Sequence, residues 1–77
     1  MALVQSGTDG QKEKAARALA NLALNAKNRV LIAQAGAIAP LVTLQSGTAG
    51  QKKYAAGALA NLALNDENQV LIAQAGG

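Results

Sequence analysis

Asp9, Glu13, Asp66 and Glu67 are the four carboxylates of this 77-residue sequence, and no histidine or cysteine accompanies them. A side-chain nucleophile needs an activating base within reach. Carboxylates could instead work as an acid–base pair or hold a cation through their oxygens. These four are split between two polar corners. Asp66 and Glu67 are adjacent and read as charges at the start of a helix, where the backbone dipole favours anions. Gly7-Thr8-Asp9-Gly10-Gln11-Lys12 has the glycines and the lysine of a phosphate-cradling loop. It lacks the Gly-Lys-Ser/Thr order, and no strand precedes it. The stretch also returns as Gly47–Lys52, which makes it a corner of a repeat. No catalytic residue, metal site or cofactor is expected, and the sequence reads as a non-enzyme.

The seven Lys and Arg residues give a net charge of +3 and are scattered rather than clustered. Nucleic-acid binding needs a basic patch, and stacking of bases needs aromatic platforms. Tyr54 is the one aromatic residue, so no nucleic-acid partner is expected. No apolar run approaches the roughly 18 residues of a membrane span, and no membrane partner is expected either. The opening MALVQSG has no basic region or apolar core of signal-peptide length. The composition is of the cytoplasmic type, with no targeting signal.

The elements that position these residues come in two copies. Ala15–Asn25, AARALANLALN, returns as Ala55–Asn65, AAGALANLALN. Shifting the chain by 40 residues aligns Ala2–Ala37 with Val42–Gly77, and about 25 of 36 positions are identical. A period of this size marks a stacked helical repeat. Thr8 with Gln11, and Thr48 with Gln51, read as capping boxes that open long helices over Asp9–Leu24 and Ala49–Leu64. Around the first of these, Ala15, Ala18, Leu19 and Leu22 form one apolar face, with Ala16, Ala20 and Ala23 on a flank. Asn25 and Asn65 end the long helices and cap short helices expected at Asn28–Ala35 and Asn68–Ala75. Gly36 stops the first short helix. Pro40 suits the first turn of a third helix, Pro40–Gln45. Gly57 lies inside the second long helix.

These residues resemble an armadillo repeat. The most specific pieces are AGAIAPLV (Ala35–Val42), the SGT-x-x-QK lead into the long helix, and the ALANLA core. The resemblance covers essentially the whole chain. It implies an all-α fold, an armadillo-type right-handed α-solenoid, with two tandem repeats of about 40 residues in a permuted frame. A single domain over residues 1–77 is expected, with copies at approximately 1–37 and 38–77. The second helix and the polar corner are each about one residue shorter than the usual pattern. By the same resemblance the long helices line a concave face. Asn21 and Asn61 then occupy the position of an asparagine that holds an extended peptide backbone. The neighbouring tryptophan position holds Arg17 and Gly57, and Tyr54 is the one aromatic replacement nearby. Peptide binding by Asn21, Asn61, Arg17 and Tyr54 stands beside a plainer reading, in which both asparagines are solvated residues of a repeated template.

The large-residue core is thin, with about 18 Leu, Ile and Val residues in all. Solenoid repeats bury their faces against neighbours, and terminal repeats normally carry a polar cap. Neither end of this repeat pair looks capped. Leu3, Val4, Leu19 and Leu22 face one way, and Val70, Leu71 and Ile72 lie at the other end. Exposed apolar faces mark association sites. The sequence therefore predicts a structural or protein-interaction module that folds through self-association. The expected partner is a second copy in a two-fold dimer, the commonest symmetry, with head-to-tail stacking into higher oligomers as the other geometry. Weak binding of extended peptides is the alternative function.

Overall fold

The computed structural model describes residues 7–76. They fold into five helices, α1 (Asp9–Leu22), α2 (Ala26–Gln34), α3 (Ile38–Leu44), α4 (Ala49–Leu62) and α5 (Asp66–Gln74), and contain no strand. The fold is all-α. Leu3 and Val4, expected at one apolar end, lie outside the described residues.

Both long helices start as the sequence predicts. The Thr8 hydroxyl accepts from the Gln11 N–H at 3.2 Å, and the Gln11 side chain accepts from the Thr8 N–H at 2.9 Å. Thr48 and Gln51 repeat the pair at 3.2 and 3.0 Å. Each box satisfies two donors that the first helical turn would leave without partners.

The ends differ from expectation by two residues. The Leu24 N–H turns to Asn21 O and the Leu64 N–H to Asn61 O, both at 3.2 Å. That tighter bonding closes α1 at Leu22 and α4 at Leu62, as 3₁₀-type last turns commonly do. Arg29 Nε then donates to Ala23 O at 2.7 Å and Arg29 Nη2 to Leu24 O at 3.2 Å. Gln69 Nε2 does the same for Ala63 O at 2.9 Å. The chain end of each long helix is thus satisfied by a side chain from the following short helix.

Asn25 caps α2 through Oδ1, which accepts from the N–H groups of Lys27 and Asn28 at 2.9 and 3.2 Å. The short helices begin at Ala26 and Asp66, two residues earlier than the spacing suggests, because the cap bonds already sit at Asn25 and Asn65. Gly36 ends α2 at φ +79°. Its N–H reaches Ala33 O at 3.0 Å and the Ala37 N–H reaches Ile32 O at 3.4 Å, the two bonds of a Schellman stop. α3 starts at Ile38, with Pro40 inside its first turn, where no intrahelical N–H bond is lost.

The core runs through all four elements α1–α4. Leu19, Ile32, Ile38, Leu41, Leu44, Leu59 and Leu62 supply its bulk, and Ala16, Ala23, Ala37, Ala55 and Ala58 fill the close approaches. α4 lies in the middle, packed mainly on α1 and α3.

The expected apolar face of α1 needs correction. Ala16 and Ala23, placed on a flank, are fully buried, whereas Ala18 and Leu22 are exposed. Leu19 is also buried rather than open at the end, and so is its counterpart Leu59. On α4 the pattern reverses: Ala55, Ala58 and Leu62 are buried, while Ala56 and Ala60 are exposed. A long helix apolar on two sides can bury only the side that meets its neighbour, and α1 and α4 meet through opposite sides.

Candidate functional site

Alanine supplies most of the buried apolar residues where α1 meets α4. Ala16, Ala20 and the C-cap residue Ala23 share one core cluster with Ala55, Ala58 and Leu62 of α4. Alanine lets two backbones approach closely. A Cβ placed on Gly57 would lie 4.0 Å from the Ala20 Cβ, and one on Gly50 would collide with the Glu13 carboxylate.

That close approach brings side-chain amides of the second copy within reach of backbone carbonyls of the first. Gln51 Nε2 donates to Asp9 O at 3.1 Å and to Asp9 Oδ1 at 3.3 Å. Asn61 Nδ2 donates to Ala20 O at 2.9 Å. Asn68 Nδ2 donates to Arg29 O at 3.2 Å and to Leu62 O at 3.0 Å. Gln51 and Asn68 are 3% and 2% exposed. No buried side-chain N or O among the described residues lacks a partner. An amide can donate with its nitrogen while its oxygen accepts elsewhere. Gln51 does so: its oxygen closes the capping box while its nitrogen crosses the joint.

The residues singled out for peptide binding separate into two groups. Arg17 and Tyr54 come together across the joint, the Arg17 guanidinium carbon 5.8 Å from the Tyr54 ring centroid, and Lys53 Nζ lies 5.5 Å from the same centroid. Asn21 is exposed. Asn61, by contrast, spends its Nδ2 on Ala20 O. Of the residues expected at the association ends, Val70 and Leu71 are exposed and Ile72 packs against the core. Gln51 and Asn68 were not anticipated as joint residues. The available signal was their recurrence: Gln11 and Gln51, and Asn28 and Asn68, stand at the same place in each copy.

Little elsewhere suits chemistry. Asp9, Asp66 and Glu67 sit in first helical turns, as expected from the dipole argument. No group of three His, Cys, Asp or Glu side chains converges among the described residues. A shallow recess between α2, α3 and α5 is lined by Ala33, Gly36, Ile38, Ala39, Leu71 and Ala75 and offers no charged side chain. No described helix is long and apolar enough to cross a membrane.

The joint leaves two open halves. Ala18 and Leu22 on α1 stand where Ala58 and Leu62 stand on α4, and Ala56 and Ala60 on α4 stand where Ala16 and Ala20 stand on α1. No curated protein and no solved structure matches the chain. The model of the Armadillo/beta-catenin-like repeat matches residues 25–64, which span α2, α3 and α4. With more than half of its length matched by that model, the chain belongs to the armadillo repeat family.

Proposed function

We propose that this chain is a non-catalytic protein-interaction module, a single armadillo-type domain that works through its open long-helix faces and associates with itself. Armadillo repeats generally serve as protein-interaction scaffolds. One observation carries the reading toward self-association. Leu62 is fully buried in the joint, whereas Leu22, the same residue of the other copy, is 51% exposed. An apolar residue built for a joint and left in water favours whatever covers it, by roughly 25 cal/mol for each Å² removed from solvent. Sedimentation of the 77-residue chain from micromolar to millimolar concentration tests this. The mass is expected to rise with concentration, and a constant monomer mass removes the reading.

A second reading is favoured by the Tyr54 ring with Arg17 and Lys53 against it. A ring flanked by two cations suits an extended peptide carrying carboxylates. Asn21, being exposed, is the asparagine of the pair with its amide open to such a peptide. Titration of an extended acidic peptide into the wild type and into Tyr54→Ala and Asn21→Ala checks this. Equal affinity in all three excludes peptide binding at these residues.

A further inference from the structure

We infer that a second copy of this chain docks head to tail, its α1 on the outer face of α4, and rebuilds the alanine and amide pattern of the internal joint. This inference rests on the self-association reading and adds its polarity and register.

The alanines and the leucine of the joint recur at the opposite end. The docking copy presents Ala15, Ala18 and Leu22 in the places of Ala55, Ala58 and Leu62. The receiving copy presents Ala56, Ala60 and Ala63 in the places of Ala16, Ala20 and Ala23. Ala18, Leu22, Ala56 and Ala60 are all exposed, and Ala15 and Ala63 are partly so.

The polar rungs recur too. Gln11, Asn21 and Asn28 stand in the places of Gln51, Asn61 and Asn68. Their acceptors in the receiving copy are the carbonyls of Ala49, Ala60 and Gln69, equivalent to those of Asp9, Ala20 and Arg29. The geometry is already set at both ends. The Thr8 N–H holds Gln11 Oε1 at 2.9 Å, as the Thr48 N–H holds Gln51 Oε1 at 3.0 Å, so the Gln11 amide is posed as its twin is. The Leu64 N–H turns to Asn61 O as the Leu24 N–H turns to Asn21 O, both at 3.2 Å, so Ala60 O stands in the same turn as Ala20 O.

A two-fold dimer matches none of this. It would set amide donors against amide donors, or one row of carbonyls against another. Head-to-tail contact leaves one open half at each end, so it continues into a row rather than closing. Several positions differ in the new joint: Ala49 stands in the place of Asp9 and lacks the Oδ1 that Gln51 reaches, Gly57 stands in the place of Arg17, and Arg17 stands in the place of Gly57. Lys53 stands where Glu13 stood, beside Gly10, and Lys14 stands where Tyr54 stood. The new joint therefore gains two lysines, loses both the Tyr54 ring and the guanidinium across from it, and sets Arg17 beside Ala60, which makes it weaker than the internal one.

The test uses two variants of the full chain, each blocked at one exposed face. Leu22→Glu blocks the docking half, and Ala60→Glu blocks the receiving half. Helical circular dichroism confirms the fold of each before use. In sedimentation each variant alone is expected to remain a monomer at concentrations where the wild type grows. An equimolar mixture is expected to form a one-to-one dimer and nothing larger. If either variant alone still pairs, or if the mixture does not, while the wild type associates, head-to-tail docking is overturned and self-association stands. A wild type that stays monomeric overturns both. If a blocked variant does not fold, the chain carrying Lys53→Glu decides instead. That change restores the internal joint's carboxylate beside Gly10 and removes a lysine one turn from Lys14, and association is expected to tighten by up to about fivefold, the size of a removed like-charge pair. Unchanged or weaker association in that chain overturns the inference.

Discussion

Asn28 and Asn68 are the same residue of the same repeat, and replacing each by alanine should have very different costs. Asn68 is almost fully buried, and its Nδ2 reaches Arg29 O and Leu62 O at 3.2 and 3.0 Å. Asn28 is half-buried and has no such joint to span among the described residues. Each hydrogen bond is worth about 1 kcal/mol net, so Asn68→Ala should cost about 2 kcal/mol. Alanine is the better helix former by a few tenths of a kcal/mol, but that gain applies equally to both sites and cancels in the comparison. The difference of about 2 kcal/mol is a large share of the total stability of a domain this small. At roughly 4–8 °C per kcal/mol it lowers the midpoint of thermal unfolding by about 8–16 °C for Asn68→Ala relative to Asn28→Ala. With a urea slope near 1 kcal/mol/M, the urea midpoints should separate by about 2 M. Helical circular dichroism during urea and thermal unfolding measures both. It should be done at the lowest chain concentration that still gives a cooperative transition. If chains dock head to tail, Asn28 gains a joint of its own, and the gap between the variants should narrow as concentration rises. Equal costs for the two variants at the lowest concentration would refute the claim that Asn68 works by bridging the copies.

Three further outcomes follow from single residues. Gly57→Ala should stabilise the chain by about 0.5–1 kcal/mol in urea unfolding, since the new methyl group meets Ala20 at an ordinary 4.0 Å and the helix loses its most flexible residue. Gly36→Ala should destabilise it by about 1–2 kcal/mol in the same assay, because φ +79° is strained for a residue with a Cβ even though the space around it is open. Leu41→Ala should cost about 2–5 kcal/mol, since Leu41 is fully buried at the centre of the core; retained thermal stability in that variant would mean the core is placed wrongly.

Helix count, caps and stops were legible because each depends on a few neighbouring residues. Thr8 with Gln11, Asn25 with Asn28, and the glycine at 36 do locally what their types predict. The long helices end two residues before the apolar spacing does, at Leu22 and Leu62. Leu24 and Leu64 continue the apolar spacing, but the bonding there has already tightened and both side chains point to water. The buried face of α1 was not legible from α1 alone. Its two sides are nearly equal in alanine and leucine, and only the position of α4 selects Ala16 and Ala23 over Ala18 and Leu22. The amides were harder still. Gln51 reads as a capping residue and Asn68 as a polar corner, and both are these things. Their second role depends on carbonyls about 40 positions away, at separations of 42 and 39 residues, which no local pattern records.

The alanine seam between α1 and α4 has a mechanical consequence. Alanine has no rotamers to lose on ordering, so closing the seam freezes little beyond the three amides, Leu62 and the Arg17–Tyr54 pair. The same absence of long side chains means nothing can swing aside to make room. A bulky substitution at Ala16, Ala20, Ala55 or Ala58 would act as a wedge, and the strain would fall on the polar rungs, whose reach is set by the narrowness of the gap. The two halves are held less by stickiness than by how closely they are allowed to lie.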